Sequence, residues 1–307
     1  MLFTLLALSL GTTAGFALPA PAPTLELWIE VGADGAPGPV WMEMLGRRLA
    51  PKDVEEAAAL RRPLNDNQRA WADAVRARLR FWTDRMVVLA EPFEPVTPPE
   101  SVRIVLGNRG GDDAFTHDPT TIGFDLARLQ AEYGDATSDE NRDRLDRFFD
   151  HEYSHLLFKA WVPAHPQPGA NPFELALQEM WGEGFGNYRS MSERWRATAG
   201  SYSRTARNSL NRLEPILVER MEALTCATPE AAAPLVADLS RGPFDRKWGA
   251  LPVALWLDSE ASMAPDAPRR FVQEGVDGLF ALALRRLPPE LAARLQAAQA
   301  QSRACPR

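Results

Sequence analysis

The chain has 307 residues and a formal net charge of −7, with 45% hydrophobic and 24% charged residues. This is globular composition, long enough for one large domain or two small ones. An acidic balance without a clustered basic stripe argues against nucleic acid as a partner.

The first stretch, "MLFTLLALSLGTTAGFALPAPAPT", reads as a leader over residues 1–22. Its uncharged apolar run is too short to span a bilayer, and small residues follow it. Gly15 and Ala17, or Ala20 and Ala22, offer the spacing of a cleavage site. The expectation is an exported protein, periplasmic or secreted, with no stable membrane span once the leader is removed; a short uncleaved anchor is the competing reading. The two cysteines, Cys226 and Cys305, suit an oxidising compartment, either as one bridge or as two free thiols.

Beyond the leader, "TLELWIEVG" alternates as a strand does. "PKDVEEAAALRRP" is a short helix closed by Pro63, and residues 65–90 carry apolar side chains at the spacing of a long helix. Pro92, Pro95, Pro98 and Pro99 make the next stretch an irregular boundary. "VRIVLGN" is a strand, and "TTIGFDLARL" is a second strand running into a short helix that ends near Gly134.

From Thr137 the pattern is helical almost to the end. "TSDE", Thr137 to Glu140, has the spacing of a capping box, and the helix it opens runs to about Trp161. Pro163, Pro166 and Pro168 break it. Asn171 followed by Pro172 then restarts a helix over 172–198. Further helices are expected over 204–225, 229–240, 246–260, 267–286 and 288–300. The fold class is therefore α+β and mostly α, a small sheet ahead of a helical body.

One short stretch carries chemistry. "FFDHEYSHLLFKAW" holds two of the chain's four histidines, and His151-Glu152-Tyr153-Ser154-His155 matches H-E-x-x-H. Positions i and i+4 of a helix share one face, so both imidazoles reach a single ion, with Glu152 beside a water bound to it. A chance match arises on the order of once in a few hundred chains of this histidine content. A plain amphipathic helix accounts for Leu145, Phe148, Phe149, Leu156 and Phe158 but leaves the histidine pair unexplained.

Catalytic zinc usually takes three protein ligands and keeps one position open for water. No H-x-x-G-x-x-H continuation follows His155, so an acidic residue of the next helix is the economical third ligand. Glu179, Glu183 and Asn187 lie on one face at i, i+4 and i+8. If the two helices are antiparallel, the ion stands level with about residue 180 at 1.5 Å per residue, which suits either glutamate.

"WGEGFGNY" resembles the W-x-x-E-G-F-A-x-Y segment of aminopeptidase-N-like gluzincins, and His151, Glu152 and His155 match the same family's H-E-x-x-H. "FDRKWGALPVALWL" over 244–257 is similar to the Y-x-K-G-A helix that follows in those enzymes. The resemblance covers roughly 148–257. It implies a zincin-like core with an active-site helix, one zinc ion per chain held by His151, His155 and Glu183, and Glu152 as general base. Glu179 and Asn187 are then alternative ligands, or groups that orient an imidazole. The G-x-M-E-N segment with which that family binds a free amino terminus has no counterpart before residue 148, so the expected reaction is hydrolysis of internal peptide bonds. The strand in "TTIGFDLARL" is either an ordinary structural strand or, as in zincin folds generally, the edge to which an extended peptide substrate adds. An oxyanion stabiliser is also needed; Tyr202 is the candidate, with Tyr133, Tyr153, Tyr188, His117 and His165 as further options.

The expected organisation is a leader over 1–22, a strand and helices over 23–98, a zincin-like catalytic core over 99–200 and a helical region over 201–307. Alternatively, 24–307 is one compact unit. The expected function is a zinc metallopeptidase acting on peptide or protein substrates. Its rivals are a non-catalytic binding or assembly protein on the same scaffold and a non-peptide hydrolase using the same activated water.

Overall fold

A computed structural model describes residues 23–169 and 171–305. The expected leader, residues 1–22, lies outside the described residues. Four strands and twelve α-helices follow in the order β1 (Thr24–Ile29), α1 (Pro39–Gly46), α2 (Pro51–Ala59), α3 (Asp66–Ala90), β2 (Ser101–Gly107), β3 (Ala114–Thr116), β4 (Thr121–Asp125) and α4 (Leu126–Tyr133). The helical body is α5 (Asp139–Trp161), α6 (Pro172–Ser190), α7 (Arg204–Leu224), α8 (Pro229–Val236), α9 (Ala250–Ala261), α10 (Ala267–Gln273), α11 (Gly275–Arg286) and α12 (Pro289–Ala304). The class is α+β, mostly α. Among the described residues no helix is long and apolar enough to cross a membrane.

The sheet order is β1-β2-β4-β3, with β1, β2 and β4 parallel and β3 antiparallel to β4. The apolar run of β2 is continuous because both faces are covered. Val102, Ile104 and Leu106 enter the main core, while Val105 joins Trp41, Met44, Leu45 and Phe115 on the opposite face. The strand in "TTIGFDLARL", expected at the edge, is internal as β4. The short β3 forms the edge instead, and three residues left too little pattern to find it by sequence.

α3 begins at a capping box made by Asn65 and Gln68. It holds α5 against the sheet through a partly buried polar seam. Asp146 accepts 2.6 and 2.8 Å bonds from Arg78 and a 2.7 Å bond from Trp82, and Asp150 pairs with Arg85. The Trp82 ring stacks on Phe149 at 4.6 Å. One core cluster runs from Trp71 to Ala298, so segments from the three expected regions share a single interior.

Several boundaries differ from the sequence reading. α5 is capped by Ser138, whose hydroxyl accepts from Asn141 N; the Thr137 hydroxyl is already engaged by Asp135 at 2.9 Å. α6 ends at Ser190 rather than 198, because Asp258 of α9 draws the following segment away through Arg196 at 2.7 Å and Ala197 N at 2.5 Å. The helices beginning at 229 and 246 are shorter than expected, as α8 and α9. The stretch 267–286 is two helices, because Gly275 adopts φ +63° and Gln167 accepts a 3.0 Å bond from the next amide, Val276 N. Cys226 and Cys305 are joined as a disulfide that ties the end of α12 to the end of α7.

Candidate metal centre

α5 and α6 run antiparallel, since Arg147 meets Ser190, His151 meets Gly186 and Phe158 meets Trp181. α5 buries Leu145, Phe149, Tyr153 and Leu156 and turns His151 and His155 outward, partly exposed. α6 buries Phe173, Met180, Trp181 and Phe185; its start is fixed by Asn171, whose side chain accepts from Glu174 N at 3.0 Å, and by Pro172 in the first turn.

Two glycines in "EGFG" make the approach possible. A Cβ at Gly184 would stand 2.4 Å from Val253 Cγ1 of α9, and one at Gly186 would stand 3.1 Å from the His151 ring. The first lets α9 pack on α6; the second leaves room for the imidazole.

His151, His155 and Glu183 meet as a result. The two Nε2 atoms are 3.0 Å apart, Glu183 Oε2 is 3.6 Å from His151 Nε2, and Oε1 is 3.5 Å from His155 Nε2. Metal bonds of 2.0–2.1 Å in a tetrahedral shell set ligand atoms about 3.3–3.4 Å apart. The three observed separations bracket that edge, so this donor set of three fits one small tetrahedral cation, and none of its members takes the fourth corner. Ser190 Oγ, which donates to Asn187 O at 3.3 Å, sits 3.5 Å from His151 Nδ1. It can accept an Nδ1–H and so keep the Nε2 lone pair aimed at the shared point.

Electrostatics separate the two carboxylates. Burial alone would raise Glu183, but His155 and then His151 hold it down at about 2. Burial pushes Glu152 up to about 7, aided by the charge of Glu183 and opposed by His155, Arg48 and Lys247. Burial also lowers His155, with Glu183 opposing. Adjacent carboxyls with such different proton affinities suit different tasks, one a permanent anion and the other a proton carrier near neutrality.

The other expected site residues are elsewhere. Glu179 is turned away, accepting a 2.7 Å bond from Ser240, and burial raises its pKa. It therefore does not complete the donor set. Asn187 touches no imidazole; it donates to Glu183 O at 2.7 Å and accepts from Lys247 Nζ at 3.3 Å. Tyr202 lies beside Arg286, Ser259 and Glu214, because its turn is fastened to α9 through Ser259 and Ser262. Of the further oxyanion options, Tyr153 is core, Tyr133 bonds Asp113, Tyr188 packs on Phe185, His165 stacks on Trp161 at 3.6 Å and His117 faces Glu43 at 3.5 Å.

Sequence reasoning missed Ser190, Arg48, Lys159 and Lys247. The first three bear no motif; Lys247 falls within the 244–257 segment, where its approach to Asn187 depends on how α9 packs. Comparison with known proteins finds no matching family model, no matching curated protein and no matching solved structure.

Proposed function

We propose that the chain is an exported, zinc-dependent metallopeptidase of gluzincin type, cleaving internal bonds of peptide or protein substrates. The observation that carries this reading is the convergence of His151 Nε2, His155 Nε2 and a Glu183 oxygen, with Glu152 buried next to them. A zinc ion held there would lower the pKa of a water toward neutrality and polarise the carbonyl under attack. The Glu152 carboxylate would accept a proton from the attacking water and would pass it to the leaving nitrogen. A carboxyl lifted toward neutrality by burial is suited to both transfers. Glu183 keeps its negative charge throughout, and Ser190 orients His151.

Substrate positioning follows from the edge strand. β3 hydrogen-bonds to β4 on one side only among the named strands. An extended peptide adds to such an edge through backbone hydrogen bonds. Lys159 of α5 donates to Thr116 Oγ1 of β3 at 2.9 Å, tying that edge to the helix that carries the histidines. The disulfide agrees with an oxidising compartment, and so with export.

A site that only stores metal has no use for a buried base beside it, so Glu152 favours an enzyme over a binding or assembly protein. The test is metal analysis of the purified protein together with hydrolysis of peptide and ester panels. One zinc per chain and chelator-sensitive amide cleavage are expected. Absence of bound metal, or cleavage of esters alone, overturns the peptidase reading.

A further inference from the structure

Among 34 basic side chains only three are lysines: Lys52, Lys159 and Lys247. Lys52 lies exposed on α2, in reach of Glu56 at 3.9 Å. The other two stand at the candidate metal centre on unrelated segments. Lys159 extends the series His151, His155, Lys159 at i, i+4 and i+8, one turn beyond the second imidazole on the same face of α5. Its ammonium donates to Thr116 Oγ1 at 2.9 Å and to Asp118 O at 3.4 Å, both neutral acceptors. Lys247 precedes α9 and donates to the neutral amide oxygen of Asn187, one turn past Glu183, at 3.3 Å.

Neither lysine has a carboxylate within 4.0 Å among the described residues, although most of the chain's ion pairs are made by arginines that do. A third cation, Arg48, lies over the Phe115 ring of β3 at 4.0 Å, but Asp112 answers its charge. Glu152 feels the fields of both Arg48 and Lys247, and Lys159 feels that of Glu152. With a divalent cation on His151, His155 and Glu183, the charges of the cation, Glu183 and Glu152 sum to zero. The two lysines then add positive charge beside the centre, tempered at Lys159 by the Asp118 carboxylate, in a protein whose net charge is −7. Positive charge gathered at one place on a molecule of the opposite sign concentrates counter-ions of matching chemistry. A flexible ammonium with three donors can turn from a neutral acceptor to a bound anion without a fixed fork geometry.

We infer that the metal centre selects substrates bearing a carboxylate close to the bond that is cut, with Lys159 and Lys247 as the residues that receive it. This rests on the metallopeptidase reading for the reaction, but carboxylate recognition by the lysines is measurable on its own. The carboxylate comes either from an acidic side chain or from the chain terminus of a short peptide.

The experiment uses the zinc-loaded full chain carrying Glu152→Gln, with zinc content measured alongside, and four fluorescent peptides in a binding titration. Two differ as Asp against Asn at a central position, both amidated; two are all-alanine, with a free or an amidated C-terminus. Tighter binding of one acidic member over its neutral partner, by about tenfold or more, is expected from a charge-assisted contact. The pair that shows it identifies the source of the carboxylate. Lys159→Gln or Lys247→Gln should bring that ratio to within about threefold, and Lys→Glu at the same position should turn the preference toward a lysine-bearing peptide. Equal binding of acidic and neutral peptides overturns the inference, as does a preference that survives both lysine changes. Neither result touches the zinc stoichiometry or amide hydrolysis by the unmodified chain, on which the metallopeptidase reading is judged.

Discussion

A methyl group on residue 186 would stand 3.1 Å from Cε1 and Nδ1 of His151, inside ordinary van der Waals contact. Gly186 of α6 therefore sets how closely the imidazole can lie against the neighbouring helix. Gly186→Ala should push the His151 ring outward while leaving the rest of α6 intact, since alanine is the better helix former. The expected result is a fall in zinc affinity of about tenfold or more, as for loss of an orienting contact, with Tm of the metal-free protein almost unchanged. Zinc competition with a chromophoric chelator and thermal melts of the apo protein check both halves.

Glu183 and Glu179 are one helical turn apart, yet only Glu183 reaches the imidazoles; Glu179 is bonded to Ser240. Glu183→Ala should lose stoichiometric zinc, and Glu179→Ala should keep it. Elemental analysis of the two purified variants decides. Retention in the first and loss in the second reverses the ligand assignment.

Much of this centre is local, and that part was legible in the sequence. His151, Glu152 and His155 are related by one helical turn, and the start of α6 was fixed by Asn171 and Pro172. The choice between Glu179 and Glu183 was different. Rise per residue placed both within a turn of the ion, and only the side-chain contacts with Ser240 and the imidazoles separate them. Ser190 depends on how α5 and α6 pack, and Lys247 on how α9 packs on α6, which no spacing encodes. The helix breaks at Gly275, where the next amide, Val276 N, donates to Gln167 in a distant loop. Tyr202 failed for a related reason: its turn is held by α9, whose serines were unremarkable as sequence.

The disulfide closes a loop with a sequence separation of 79 between Cys226 and Cys305. Cross-linking a loop of that length lowers unfolded-state entropy, worth about 2–4 kcal/mol of stability in typical cases. Cys226→Ala with Cys305→Ala should therefore lower Tm by roughly 4–16 °C, at about 2–4 °C per kcal/mol, the value that holds for domains of roughly 150–250 residues. The pair is remote in sequence from the α5–α6 centre, so zinc stoichiometry at room temperature should not change. Calorimetry of the double variant, beside the parent with and without reductant, measures the loss. An unchanged Tm would show that packing of α12 on α7 holds the terminus without the bridge.

Glu152 is 9% exposed, and burial lifts its carboxyl from 4.5 to about 7. A general base must be ionised, so kcat/KM should fall as pH drops through the value for the free enzyme. A bound cation favours the carboxylate, so the acid limb of the zinc enzyme should lie between 4.5 and 7 rather than at either end. Glu152→Gln should cut turnover by about 10²–10⁴-fold and retain its zinc. Without metal the same burial acts on stability. The folded-state pKa is raised, so this group favours the fold below 4.5 and loses that contribution as pH rises through about 7. The metal-free parent should therefore lose Tm relative to metal-free Glu152→Gln between pH 5 and pH 8, by about 5 °C or more. Glu183, held at about 2, keeps its ionised form across that window and cancels from the comparison. A constant difference between the two melts would mean that water reaches Glu152 in the apo protein, and the carboxyl would then lack the basicity the proton transfers require.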